Sequence, residues 1–169
     1  MSDWRMIIEQ HGPAVWKTAY RLLGNHADAA DCFQETFVSA LKFCRRRRVR
    51  NFSALLTRFA TARAMDQLRR RFRRANFDSA MASSSAVSGT NPGPVQAVQR
   101  QELTDRLRDS LSKLAPREAE AFCLRYLNEM SYSQIADELG LTTNATGVLI
   151  HRAKAKLRGF FELSVREKE

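Results

Sequence analysis

Apolar residues recur at intervals of three and four through most of the chain, which is the pattern of amphipathic helices with one buried face. The first run covers residues 3–23, from Trp4 to Leu22. Pro13 follows Gly12 within this run, so we expect a break there and a second helix that begins at the proline. The pattern therefore predicts an all-α protein from its first segment onward.

Two further helices are predicted in the first half of the chain. One runs from about Ala27 to Phe43, and the other from about Phe52 to Arg74. The segment Arg45–Asn51 connects them, and no residue within it forces a particular turn, so its shape stays open.

The composition changes after the third helix. Serine, glycine and proline dominate residues 78–98, and such a segment cannot bury a core, so we expect a flexible linker. The sequence thus predicts two small helical domains joined by a linker, with boundaries at residues 1–76, 77–98 and 99–169.

The second half reads as helical throughout. Ser131 and Gln134 have the spacing of a capping box that opens a short helix, and Gly140 occupies the position that ends it. Thr142 or Thr143 then caps a final helix. A short helix, a glycine turn and a longer helix form the helix-turn-helix arrangement, which presents its second helix to the major groove of DNA.

Charge divides the chain unevenly. The net charge is +10, and residues 1–98 carry 16 basic and 7 acidic residues, whereas residues 99–169 carry 12 and 11. Residues 42–74 alone hold 13 Lys or Arg and one acid, Asp66. Because apolar residues at helical spacing accompany these cations, we expect a folded element with a basic face, and nucleic acid is the usual partner of such a face. A merely solvated face is the alternative.

A second surface of opposite sign is predicted on the helix before the basic segment. Asp28, Asp31 and Glu35 lie on one face with Gln34 beside them. The positive end of the helix dipole accounts for the first two carboxylates but not for Glu35 or Gln34. An acidic stripe beside a basic element suggests two surfaces for two partners.

Other classes of function lack support in the sequence. The three cysteines are far apart and separate from the three histidines, so we expect no metal site, disulfide or cofactor. No Ser/His/Asp arrangement or Gly-rich phosphate loop is present, so we expect no enzymatic activity. We find no apolar run long enough to span a membrane and no signal peptide, and therefore expect a cytoplasmic protein.

The segment Asp28–Phe37 resembles the DAxDxxQExF signature of the extracytoplasmic-function (ECF) sigma factors of bacterial RNA polymerase. Residues 52–70 resemble the helix that follows it in this family. Leu114–Arg117, Ser131–Gly140 and His151–Lys154 resemble the family's C-terminal domain. The resemblance spans both halves and implies sigma domains 2 and 4 with a role in promoter-specific initiation.

The resemblance also assigns candidate residues to partners. It implies that Asp28, Asp31, Gln34 and Glu35 dock on the clamp helices of the largest polymerase subunit. It implies that the basic segment engages and helps to melt the −10 element of promoter DNA, through Arg45, Arg46, Arg47, Arg48, Arg50, Asn51, Arg58, Arg63, Arg69, Arg70 and Arg73. Domain 4 would lie on the flap of the second-largest subunit and read the −35 element through Thr142, Thr143, Asn144, Thr146, Gly147, His151, Arg152 and Lys154.

The chain departs from the family pattern in the reading helix. Thr146-Gly147-Val148-Leu149 stands where the family often carries VKSR, so a Lys and an Arg are absent from the expected DNA face. Val148 and Leu149 either contact thymine methyl groups or pack in the core, and we favour packing.

The resemblance implies a cytoplasmic bacterial protein that associates with the nucleoid when bound to polymerase. Many relatives are held inactive by an anti-sigma protein, and the sequence identifies none. A polymerase-independent helix-turn-helix regulator is the alternative function, but it leaves the acidic face without a task.

Overall fold

A computed structural model describes residues 3–81 and 95–166, with side chains to residue 163. The described residues form seven α-helices and no strand, in agreement with the predicted all-α class. Their bounds are α1 Trp4–Leu23, α2 His26–Cys44, α3 Phe52–Met81, α4 Val95–Lys113, α5 Pro116–Tyr126, α6 Tyr132–Leu139 and α7 Thr143–Arg166.

Local signals set most of the helix ends. The Asp3 carboxylate accepts hydrogen bonds from the first backbone amides of α1, and Gly24 ends that helix in the left-handed conformation with φ 75°. Asn25 caps α2 through its side-chain oxygen. The capping box of α6 is present as predicted, since the side chains of Ser131 and Gln134 each bond the other's backbone amide.

Pro13 lies within the continuous helix α1, so the predicted break is wrong. A proline inside a helix costs about 3 kcal/mol because it removes one hydrogen bond and crowds the preceding turn. Burial on both sides of it offsets this cost. Trp4 and Ile7 pack beside the buried Val15, and Leu22 lies in the larger core cluster.

Helices α1, α2 and α3 pack on one another as the first group, and α5, α6 and α7 form a second group that α4 joins. Helix α3 continues to Met81 and α4 begins at Val95, so both edges of the predicted linker are helical. Helix propagation adds one hydrogen bond per residue once a helix exists, which favours such extension. Residues 82–94 of that prediction lie outside the described residues.

The two groups of helices are in direct contact. One apolar cluster contains Leu22 and Leu68 from the first group together with Leu111 and Cys123 from the second. Helix α3 contacts α4, α5 and α6 and therefore lies at the centre of the molecule.

Polar side chains fix the same junction. The Thr18 hydroxyl donates to Asn128 Oδ1 at 2.7 Å, and Asn128 Nδ2 donates to the hydroxyl of Thr61 at 3.3 Å. The Arg108 guanidinium, from α4, donates to the carbonyl oxygens of Leu22 and Arg21 at 2.8 and 3.0 Å. These bonds hold the second group of helices against α1 and α3.

Candidate nucleic-acid and protein interfaces

The connection between α2 and α3 presents consecutive arginines to solvent. The backbone amides of Arg46 and Arg47 both donate to the Phe43 carbonyl at 3.0 Å, which folds the chain back after α2. Asn51 Oδ1 accepts from the Ala54 amide at 3.0 Å and caps α3. The side chains of the predicted set are exposed here, namely Arg45, Arg46, Arg47, Arg48, Arg50 and Asn51.

These arginines line one wall of an open groove of about 1190 Å³. Arg58 and Arg63 extend that wall along α3. Asp137 and Glu138, at the end of α6, also line the groove. Burial raises the pKa of Glu138, while the charge of Arg58 acts in the opposite direction. The lining of the groove is thus strongly basic, with two carboxylates contributed by α6.

Arg58 has a partner that sequence reasoning missed. Its Nε atom lies 3.6 Å from Glu120 Oε1, and the Glu120 side chain is only 15% exposed. Burial raises the pKa of Glu120, and Arg58 lowers it. No sequence signal marks this pair, because the two residues lie on α3 and α5 and meet only when the two helix groups pack together.

The arginines further along α3 divide into two kinds. Arg70 and Arg73 are exposed. Arg69 is not, since its side chain is 16% exposed and pairs with Asp66 at 3.3 Å. Its Nε and Nη2 atoms are buried with no hydrogen-bond partner, and its charge acts on the buried thiol of Cys123. The expected −10 contact by Arg69 is therefore not available in this arrangement, because α5 covers that side of α3.

The predicted acidic face is exposed on α2. Asp31, Gln34 and Glu35 are all open to solvent. Asp28 is half-exposed and also accepts a hydrogen bond from Asn25 Nδ2 at 2.8 Å, so it takes part in the helix cap as well.

Two ion pairs join the acidic face to the basic one. Glu35 lies 3.9 Å from Arg63, and Asp28 lies 3.7 Å from Arg71. All four side chains are more than a third exposed. Exposed pairs of this kind contribute about 0–1 kcal/mol and form readily broken contacts. The two faces therefore adjoin without cancelling each other, since the loop arginines have no carboxylate partner among the described residues.

The start of α7 carries the predicted reading surface. Thr142 caps the helix, with its hydroxyl accepting from the Ala145 amide at 3.1 Å. Most of the predicted residues are exposed, namely Thr142, Thr143, Asn144, His151, Arg152 and Lys154. Thr146 is fully buried and its hydroxyl donates to the Thr142 carbonyl, so its side chain does not reach this surface. The expected base contact by Thr146 is therefore not supported.

The two apolar residues of the reading helix have different environments. Leu149 packs against the cluster around Ile135 and Ile150, as expected. Val148 is 42% exposed, contrary to the packing that we favoured. It lies in a cleft with Gly147 and Tyr132, and the tyrosine was not among the sequence-predicted residues.

The described residues offer little else of chemical interest. They contain no group of His, Cys, Asp and Glu side chains that could hold a metal ion. None of their helices combines the length and apolar character that crossing a bilayer requires. Burial raises the pKa of Cys32 to about 11 and that of Cys123 to about 12, which favours the protonated thiol of both at neutral pH.

Two regions of the chain match family models of known proteins. Residues 7–74 match the family model of sigma-70 region 2, and residues 104–157 match that of sigma-70 region 4. The chain is 30% identical over 160 residues to the ECF RNA polymerase sigma factor SigE of Mycolicibacterium smegmatis, a match that covers 95% of this chain and 62% of SigE. It is 26% identical to the ECF sigma factor SigW of Bacillus subtilis, with 90% and 85% covered.

Solved structures share the fold. The chain resembles CnrH, solved in complex with the cytosolic domain of CnrY, with a TM-score of 0.62, 26% identity and coverage of 96% and 91%. It also resembles the sigma factor RpoE of Bartonella quintana, solved with the anti-sigma factor NepR, with a TM-score of 0.56, 22% identity and coverage of 96% and 98%.

Proposed function

The chain belongs to the sigma-70 family and is of the ECF type, and from this premise we propose that it directs promoter-specific initiation by bacterial RNA polymerase. Sigma factors are specificity subunits without catalytic activity of their own, which agrees with the expectation of no enzyme. The observation that carries the proposal is the pairing of an exposed acidic face on α2 with an adjoining arginine-lined groove at α3.

The acidic face is proposed to dock on the clamp helices of the largest polymerase subunit. Asp31, Gln34 and Glu35 are exposed and lie on one side of a helix whose opposite side is buried. A rigid helix bearing carboxylates offers a fixed, negatively charged surface at little ordering cost. Asp28 contributes less to such docking, because its carboxylate is already engaged by Asn25 and Arg71.

The groove is proposed to hold the −10 element, including its separated strands. The arginines of residues 45–50 supply phosphate contacts, which give affinity without reading bases. Unstacking a base costs a few kcal/mol, and contacts made only with the single strand can offset that cost. The half-exposed ring of Phe43 lies at this groove and gives an extruded base an apolar surface on which to stack.

The second group of helices is proposed to bind the −35 element and the flap of the second-largest subunit. Arg152 and Lys154 are exposed beyond the first turns of α7, where they can reach phosphates that flank the major groove. The proposed domain boundaries are residues 1–76 and 99–169, and the two matched family regions lie within them.

Two further points follow as proposals. An anti-sigma protein is the proposed regulator, supported by the fold shared with the sigma factor RpoE of Bartonella quintana, which was solved with the anti-sigma factor NepR. The site of action is proposed to be the bacterial cytoplasm, with association with the nucleoid once the chain is bound to polymerase.

Run-off transcription with purified core polymerase tests the proposal. A broad pool of promoter templates is transcribed with core enzyme alone and with core enzyme plus this chain, and the products are sequenced. We expect new transcripts from a limited set of start sites that share −10 and −35 sequences. Equal output in both reactions would reject the function. The alternative, a regulator that acts without polymerase, predicts tight binding to specific duplexes by the free chain, which gel-shift assays measure.

A further inference from the structure

A cleft of about 440 Å³ lies on the exposed side of α7, between that helix and Tyr132 at the start of α6. A Cβ atom added to Gly147 would meet the Tyr132 ring at 3.7 and 3.9 Å, which is ordinary van der Waals contact. The absent side chain therefore leaves the ring edge uncovered. Tyr132 is 39% exposed and Val148 42%, so two apolar surfaces face solvent where the reading helix should meet DNA.

The tyrosine wall of this cleft is held in place. The Arg125 guanidinium lies 5.5 Å from the Tyr132 ring centroid, in the range of a cation–π contact. The same guanidinium donates to the Met130 carbonyl at 3.0 Å, which ties it to the loop before α6. A preorganised apolar wall can bind a small group without the entropic cost of ordering its side chain.

The rim of the cleft is polar. Asn144, His151 and Arg152 surround it and are exposed. A membrane or a protein core would cover a larger continuous apolar surface, whereas this one is narrow and bordered by hydrogen-bonding and cationic groups. Such a combination fits the floor of the DNA major groove, where anionic strands flank the base edges.

The occupant follows from base chemistry. In the major groove the C5-methyl group of thymine is the one apolar feature that a base pair presents, and all the other groups there are donors or acceptors. We propose that Tyr132, Gly147 and Val148 form a thymine-methyl cleft, which reads thymine at one position of the −35 element. This inference rests on the proposed function and adds the specificity of its reading surface.

The experiment uses holoenzyme reconstituted from core polymerase and the full chain. A promoter is first selected from templates randomised over the −35 region, and each of its −35 thymines is then replaced singly by deoxyuridine, which lacks only the methyl group. At one position we expect initiation at subsaturating holoenzyme to fall about fourfold, as expected for the loss of one buried methyl contact. The other positions should change little.

Two variants connect that loss to the cleft. Val148→Ala shortens one wall, and Gly147→Ala places a methyl group beside the Tyr132 ring. Both should remove the difference between thymine and deoxyuridine at the sensitive position. Gly147→Ala should also raise the melting temperature, because alanine favours a helix interior over glycine. If Gly147 has only a structural role, Gly147→Ala should raise the melting temperature and leave the difference between thymine and deoxyuridine unchanged.

Gly159→Ala is the matched control. Gly159 lies in the same helix, and an added Cβ there meets nothing within 4 Å. This variant should raise the melting temperature in the same way and leave the thymine preference intact. The cleft is overturned if promoter-specific initiation occurs but no −35 thymine is sensitive to deoxyuridine, or if Gly147→Ala and Val148→Ala keep that sensitivity. Loss of all template-specific initiation by the unaltered chain would overturn the proposed function as well.

Discussion

Replacing Arg108 by alanine tests the contact between the two helix groups. Arg108 is 8% exposed, and its guanidinium donates to the carbonyl oxygens of Leu22 and Arg21 at 2.8 and 3.0 Å. Carbonyls in the last turn of a helix have no partner within it, so this side chain satisfies two groups that would otherwise be buried unpaired. A third bond, to Asp105 at 3.0 Å, is part-buried, since the Asp105 side chain is 57% exposed.

The expected cost follows from these bonds. A hydrogen bond from a charged donor contributes about 1.5–3 kcal/mol, and the pair with Asp105, whose carboxylate is mostly exposed, adds at most about 1 kcal/mol. Arg108→Ala should therefore lower the free energy of unfolding by about 3–7 kcal/mol, from two such bonds and the pair with Asp105. The free energy of unfolding of Arg108→Lys should lie between those of the unaltered chain and of Arg108→Ala, because an ammonium group cannot span both carbonyls as the planar guanidinium does.

Urea denaturation followed by far-ultraviolet circular dichroism measures the change. Arg106→Ala is the control, since Arg106 lies on the same helix and pairs with Glu102 at i,i+4 with a separation of 4.0 Å. Its replacement should cost no more than about 0.5 kcal/mol. The reasoning is refuted if Arg108→Ala and Arg106→Ala destabilise the chain equally, because the guanidinium would then not join the two groups.

Three other predictions concern the surfaces and the thiols. The double variant Asp31→Lys with Glu35→Lys should lose association with core polymerase in co-purification and keep its circular dichroism spectrum. The control Glu9→Lys, on α1, should keep the association. Unchanged co-purification of the double variant would contradict the docking face. Arg47→Ala should reduce the slope of log affinity against log salt on single-stranded DNA by about 0.7. Arg69→Ala should change that slope far less, because the Arg69 side chain is covered. Equal slopes for the two variants would contradict this prediction. In native protein at pH 8, an aromatic disulfide reagent should react only with the half-buried Cys44. Cys32 and Cys123 should be protected, because deep burial raises the pKa of each thiol far above pH 8. Rapid reaction of all three thiols would contradict this prediction.

Residues whose role depends on their near neighbours were predictable from sequence. The capping box at Ser131, the left-handed Gly140 and the acidic stripe on α2 all follow from spacings within one helix. The structure places them as expected, since local hydrogen bonding and helix periodicity are independent of how the two halves of the chain meet.

Residues whose environment depends on distant segments were not predictable. Arg69 belongs to a run of arginines that looks uniform in sequence, yet α5 covers it and leaves Arg70 exposed. Pro13 has the local signature of a helix start, but packing on both of its sides keeps α1 continuous. Leu149 faces the core, so the adjacent Val148 is exposed. The sequence of a single helical turn does not reveal which of two adjacent apolar residues points inward.

Arg58 belongs at once to the groove and to the junction between α3 and α5. A phosphate that binds this guanidinium through Nε would displace Glu120, whose carboxylate would then remain in a site that is largely shielded from water. Nucleic acid in the groove and the closed packing of the two halves are therefore competitors for one cation. By thermodynamic reciprocity, each weakens the other by the same free energy, so the chain with its two helix groups packed together should bind nucleic acid in this groove less tightly than the same chain with the groups apart.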